Sequence, residues 1–143
     1  MKDTLQPGLT FSLSFDITGE KTVPSLYPES AEFQLMPQVF ATGFLVGLLE
    51  WACIKAINPH IDWPREQTVG VAINVNHIAA TPPGLTVTIK GKLEKVEGRK
   101  LTFSLEADDG VDKISEGFHE RFVIDASKFN SKVQSKASCA LAH

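Results

Sequence analysis

The sequence predicts an α+β fold in which a curved antiparallel sheet surrounds one long helix. Two observations carry this. Residues 39–54, Val-Phe-Ala-Thr-Gly-Phe-Leu-Val-Gly-Leu-Leu-Glu-Trp-Ala-Cys-Ile, form one long apolar run, and Glu50 is the lone charge between Met36 and Lys55. Most of the remaining pattern alternates with period two, in one segment before that run and four after it. A helix apolar nearly all round must be wrapped by the sheet or covered by a partner.

The elements follow in order. Leu9 to Thr18 places Leu9, Phe11, Leu13, Phe15 and Ile17 on one face and Ser12, Ser14 and Asp16 on the other, a half-buried strand. Residues 19–38 hold Pro24, Pro28 and Pro37, which argue against a long regular element, although Lys21 to Val23 can pair briefly. Thr42 is a candidate N-cap for a helix over 43–57, which Asn58-Pro59 stops. Thr68 to Ala80 reads as a strand with Val69, Val71, Ile73, Val75 and His77 on one face. Leu85 to Val96, Lys100 to Ala107 and Ile114 to Ile124 complete a meander, the last through Phe118, Phe122 and Ile124. Glu97-Gly98 and Asp108-Asp-Gly110 are the turns between them. Residues 125–143 open with a short helix, Asp125 to Val133, and fade into a polar tail. A curved sheet around a central helix is the hotdog arrangement; a cystatin-like or other α+β roll produces the same pattern.

The 143 residues suit a single domain with a real core, 1–143. A net charge of −3 and a pI near 5.8 argue against nucleic acid or an anionic membrane as the partner, since both demand a basic surface. Lys128 to Lys136 is a local exception, with three lysines and no acids. Cys53 lies in the apolar run and Cys139 in the tail, a poor placement for a structural bridge. The N-terminal residues lack an apolar signal core, and the apolar run is short for a membrane span. The expectation is a cytoplasmic protein.

Three residues stand out chemically. A carboxylate inside an apolar helix is expensive to keep, which draws attention to Glu50. It has two bland alternatives, reaching water at a helix edge or pairing with Arg121. His77 continues an apolar strand face and is either a satisfied core histidine or a proton-transfer group. Thr42 is either a cap or a reactive hydroxyl. Together a hydroxyl, a carboxylate and an imidazole are the parts of an acyl-transfer site. Phe40, Phe44 and Trp51 are expected in the core. Arg121 shares a strand face with His119 and can bind phosphate or a carboxylate, although solvation at the surface is the commoner fate. His60, His77, His119 and His143 lack metal-ligand spacing, and no phosphate loop or Gly-x-Ser-x-Gly occurs.

Several blocks carry a resemblance. Tyr27-Pro-Glu-Ser30, Pro37-x-Val-Phe-Ala-Thr-Gly-Phe44, Val46-Gly47, Glu50-Trp-Ala-Cys53, His77, Ala80-Thr-Pro-Pro-Gly-Leu-Thr-Val87, Val96-Glu-Gly-Arg99, Asp109-Gly-Val-Asp112 and His119-Glu-Arg121 are similar, in order, to the fluoroacetyl-CoA thioesterase group of hotdog thioesterases. The similarity runs from about Tyr27 to the Lys128-Phe-Asn130 segment. It implies a homodimer that hydrolyses a short-chain acyl-CoA thioester to the free acid and CoA, without metal or cofactor. It also implies catalytic roles for Thr42, Glu50 and His77 and substrate contacts for Gly70 and Arg121. Met36 is a departure. The fluoroacetyl-selective enzyme has phenylalanine there, lining the acyl pocket as a lid, and methionine fills space less rigidly than a ring. Selectivity for a fluorinated acyl group therefore does not follow from the resemblance. A general short-chain acyl-CoA thioesterase, or one with another acyl group, is the expectation. The competing classes are a non-catalytic acyl-CoA or small-ligand binder on the same fold and a hotdog dehydratase or hydratase. The second is disfavoured because His77 is followed by Ile-Ala-Ala-Thr rather than by a nearby Asp or Asn.

Overall fold

In the computed structural model, which describes residues 1–142, five strands form one antiparallel sheet of order β1-β3-β4-β5-β2. Strand β1 (Thr10–Asp16) pairs with β3 (Thr86–Glu97), β3 with β4 (Lys100–Asp108), β4 with β5 (Lys113–Asp125), and β5 with β2 (Glu66–Val75). Between β1 and β2 lie α1 (Val23–Leu26), α2 (Ala31–Gln34) and the long α3 (Thr42–Ile57); α4 (Ala126–Leu141) follows β5. The sheet wraps α3, as the hotdog arrangement requires.

The core is the seam between them. Leu45, Leu48, Leu49, Ala52, Cys53 and Ile57 of α3 meet Val87, Ile89, Leu93, Leu101, Phe103 and Val123 of the sheet, all buried. Gly43 and Gly47 weaken α3 by about 1 kcal/mol each relative to alanine. Burying a leucine or isoleucine returns roughly 1.5–3 kcal/mol, so the four large α3 side chains outweigh both glycines.

The structure revises several expectations. The N-cap of α3 is Ala41, and Thr42 is its first helical residue, which frees the threonine hydroxyl for another partner. Helix α3 is not buried all round. Gly43, Gly47 and Trp51, spaced one turn apart, form an exposed stripe, so Trp51 is not core; Phe40 is buried and Phe44 half-buried. The inward face of β5 is His119, Arg121 and Val123, while Phe118 and Phe122 face out. Polarity is a poor guide there because the inward polar groups find partners inside the protein. Gly117 fixes this strand against β2: its φ is +153°, and a Cβ would lie 2.0 Å from the Asn74 carbonyl oxygen. Strand β2 slips register between Gly70 and Ala72. As the sheet's edge it leaves Val71 and Ile73 exposed, where strict alternation placed them with the buried set.

Helix α4 continues to Leu141, well past the expected end at Val133, capped by Asp125 accepting from the Lys128 N–H at 3.1 Å. None of its described residues is buried. The brief pairing expected near Lys21 is a single Thr22–Phe40 bridge. Cys53 is buried and Cys139 exposed, and both are free. No helix among the described residues is long and apolar enough to cross a membrane. No cluster of three His, Cys, Asp or Glu among them could hold a metal ion, and His143 lies outside the described residues.

Candidate active site

Two polar clusters sit at different heights along α3. The first is at its N-terminal end. With Ala41 as cap, the Thr42 side chain is released toward the segment following β2, and its Oγ1 lies 2.7 Å from His77 Nδ1. Backbone bonds from Asn76 N–H to Glu116 O (3.1 Å) and Ile78 N–H to Ile114 O (2.9 Å) hold His77 beside the start of β5. Burial keeps its imidazole below the ordinary histidine value, which favours the neutral, proton-accepting form. Val23, Phe40, Ala79 and other apolar groups shape an open cavity of about 290 Å³ around the pair.

The second cluster surrounds Glu50, two turns further along α3. Its Oε2 accepts from Arg121 Nη1 at 2.8 Å. The Glu50 side chain keeps 37% of its exposure, whereas that of Arg121 keeps 3%. The starting picture of a buried, unpaired acid is thus replaced by a paired one at the helix edge. Arg121 is immobilised from behind: Nε donates to Thr68 Oγ1 (2.9 Å) and Nη2 to Thr68 O (2.8 Å). Its Nη1 also lies 3.1 Å from His119 Nε2. His119 Nδ1 lies 2.7 Å from the Ala72 carbonyl, an acceptor only. The proton is therefore on Nδ1, and Nε2 accepts from Arg121. Burial, opposed by that carbonyl and aided by the arginine's charge, holds His119 below its ordinary value. An arginine with this many internal partners is not the solvated surface group expected of it.

Gly70 faces Arg121 across the β2–β5 ladder, and a Cβ there would lie 2.8 Å from Glu50 Oε2. Cys53, one turn after Glu50 and buried, has its thiol pushed up to about 12 by burial, which removes it as a thiolate nucleophile. Met36 lies after α2, is 49% exposed, and is not among the residues lining the Thr42–His77 cavity.

The structure therefore joins Thr42 to His77, and Glu50 to Arg121 and Gly70, but does not join the two groups within one chain. Eight residues of helix separate Thr42 from Glu50, a rise of about 12 Å. Sequence reasoning missed Thr68 and His119. The pairing of His119 with Arg121 on one strand face was the available signal for the second. Nothing local marks Thr68.

A family model described as fluoroacetyl-CoA-specific thioesterase (FlK) matches residues 19–127. The fluoroacetyl-CoA thioesterase of Streptantibioticus cattleyicolor is 54% identical over 136 residues, 95% of this chain and 97% of that protein. A solved structure of the fluoroacetyl-CoA thioesterase FlK superposes with a TM-score of 0.91 at 53% identity, over 94% of this chain and 98% of that one. Structures of substituted variants of FlK hold fluoroacetate with CoA, or acetyl-CoA. A thioesterase superfamily member from Thermus thermophilus, 24% identical, matches with a TM-score of 0.85 over 99% of both chains and supports the fold alone. The chain is a thioester hydrolase of hotdog fold, and it belongs to the fluoroacetyl-CoA-specific thioesterase family.

Proposed function

We propose that the protein hydrolyses short-chain acyl-CoA thioesters, fluoroacetyl-CoA and acetyl-CoA among them, with Thr42, His77 and Glu50 as catalytic residues. The observation that carries this is the 2.7 Å contact between Thr42 Oγ1 and a partly buried imidazole held neutral. His77 takes the hydroxyl proton as Thr42 attacks the thioester carbonyl. The C–S bond breaks, and the CoA thiolate leaves with the proton from His77. Water, deprotonated by the same imidazole, then cleaves the acyl-threonine ester and restores the hydroxyl. Glu50 stands across the site and orients that water, while Arg121 holds the carboxylate and the Gly70 backbone leaves room for the thioester. Family membership favours turnover over a non-catalytic binder.

Because one chain separates the two clusters, we infer a homodimer in which the Glu50 cluster of one protomer faces the Thr42–His77 pair of its partner. The exposed edge strand β2, with Val71 and Ile73, supports this, as does the exposed Trp51 beside Glu50. An exposed Met36 in place of an aromatic lid supports weaker discrimination between fluoroacetyl and acetyl groups. Two free cysteines and a CoA ester substrate support a cytoplasmic location.

Thiol release from acetyl-CoA and fluoroacetyl-CoA tests the reading. Thr42→Ala, His77→Gln and Glu50→Gln are each expected to lower kcat by roughly 10²-fold or more with the fold intact. Undiminished hydrolysis by Glu50→Gln removes the carboxylate from the mechanism.

A further inference from the structure

Two buried polar atoms near the site have no partner among the described residues: Nε2 of His77 and Oγ of Ser115. They are neighbours in the fold. The β2–β5 ladder pairs Asn74 with Phe118 and Val75 with Gly117, and the same register continues past the end of β2. The Asn76–Glu116 and Ile78–Ile114 backbone bonds bracket the next position, which sets His77 directly opposite Ser115. Such a bracketed pair makes no backbone bonds to each other, and its side chains lie close on one face, with Cα atoms about 4.5 Å apart. On its other side Ser115 faces Ala107 of β4, which carries no polar side-chain group. Ser115 is fully buried, and leaving two polar atoms unpaired at adjoining positions is costly.

We propose that Ser115 is a positioning residue for the hydrolysis, accepting the Nε2–H of His77 across one buried water. The inference rests on the catalytic reading of Thr42 and His77. With its proton committed to Ser115, the imidazole presents the Nδ1 lone pair to the Thr42 hydroxyl. The chain Thr42–His77–Ser115 does for this histidine what a buried acceptor does in a hydrolase triad: it selects the tautomer and holds the ring. Ser115 touches no substrate.

The test combines ¹⁵N NMR of histidine-labelled protein with kinetics. In the wild type His77 is expected as the Nε2–H tautomer. In Ser115→Ala the ring is expected to lose that preference, with kcat about tenfold lower and KM within about twofold. A hydroxyl that served only the fold would leave both tautomer and kcat unchanged on its removal, and that outcome overturns the proposal. A wild-type Nδ1–H tautomer overturns it as well, whether or not Ser115→Ala folds. Thr42→Ala and His77→Gln separate the two layers. If these retain full turnover, the catalytic reading itself fails; if they are inactive while Ser115→Ala is wild type in both readouts, only the role of Ser115 fails.

Discussion

Gly70→Ala is the substitution whose outcome the site geometry constrains most tightly. The added methyl carbon would stand 2.8 Å from Glu50 Oε2, 3.3 Å from His119 Cε1 and 3.4 Å from Arg121 Nη1. Ordinary heavy-atom contacts begin near 3.4 Å, so the carboxylate must retreat by roughly half an ångström and His119 by about a tenth, while Arg121 can stay. Arg121 cannot retreat, because Thr68 holds it through two bonds of 2.8 and 2.9 Å. Glu50 can, since it is the end of a flexible side chain with 37% exposure. The fold is therefore spared. A partly exposed ion pair contributes at most about 1 kcal/mol, which corresponds to about 2–4 °C in Tm for a chain of this size. Catalysis is not spared, because a displacement on the order of 1 Å in a positioned group can cost about 10²-fold in rate. The expected result is a kcat lowered roughly 10- to 100-fold in thiol-release assays, with Tm within about 4 °C of wild type. Turnover within twofold of wild type would show that the position of Glu50 is immaterial. A Tm loss beyond about 10 °C would show that Gly70 serves the sheet and not the carboxylate.

Two further outcomes follow from the same structure. Replacing Val71 and Ile73 on the exposed edge strand with lysine is expected to convert a dimer into a monomer in sedimentation velocity and to lower turnover with it; a wild-type protein that sediments as a monomer at assay concentration defeats the two-protomer site. The folded state holds His77 and His119 below the ordinary value of 6.5, so between those depressed values and 6.5 the unfolded chain binds more protons than the folded one. Stability then rises with pH across that window and levels off above it, so Tm is expected to fall as buffer is taken from pH 7 to 5.5, and a Tm that holds or climbs contradicts the buried neutral imidazoles.

The elements were legible because hydrophobic period is a local property: α3, the hairpin strands β3 and β4, and the turn glycines announce themselves within a few residues. What was not legible depended on which face looks inward and on who stands opposite. Strand β5 illustrates the first point. Phe118 and Phe122 read as the buried face, yet His119 and Arg121 occupy it. A buried arginine becomes admissible once Thr68, Glu50 and His119 supply acceptors, and those come from three separate elements. Strand β2 illustrates the second. A register slip at Gly70 ends the alternation there, and an edge position removes the partner that would have covered Val71. The same logic explains the candidate site. Glu50 was conspicuous as a lone charge in an apolar run, but its partners were not, and reading it as buried followed from counting apolar neighbours along the chain instead of around the helix. With Gly43, Gly47 and Trp51 exposed, α3 has a solvent stripe, and Glu50 sits on its border. That border places an arginine-paired carboxylate where the surface of one chain ends, about 12 Å of helix away from the Thr42–His77 pair. On the proposed catalytic reading a site split in this way is closed by a second surface, so this separation, which the sequence did not reveal, is the strongest structural reason to look for the catalytic centre between two copies.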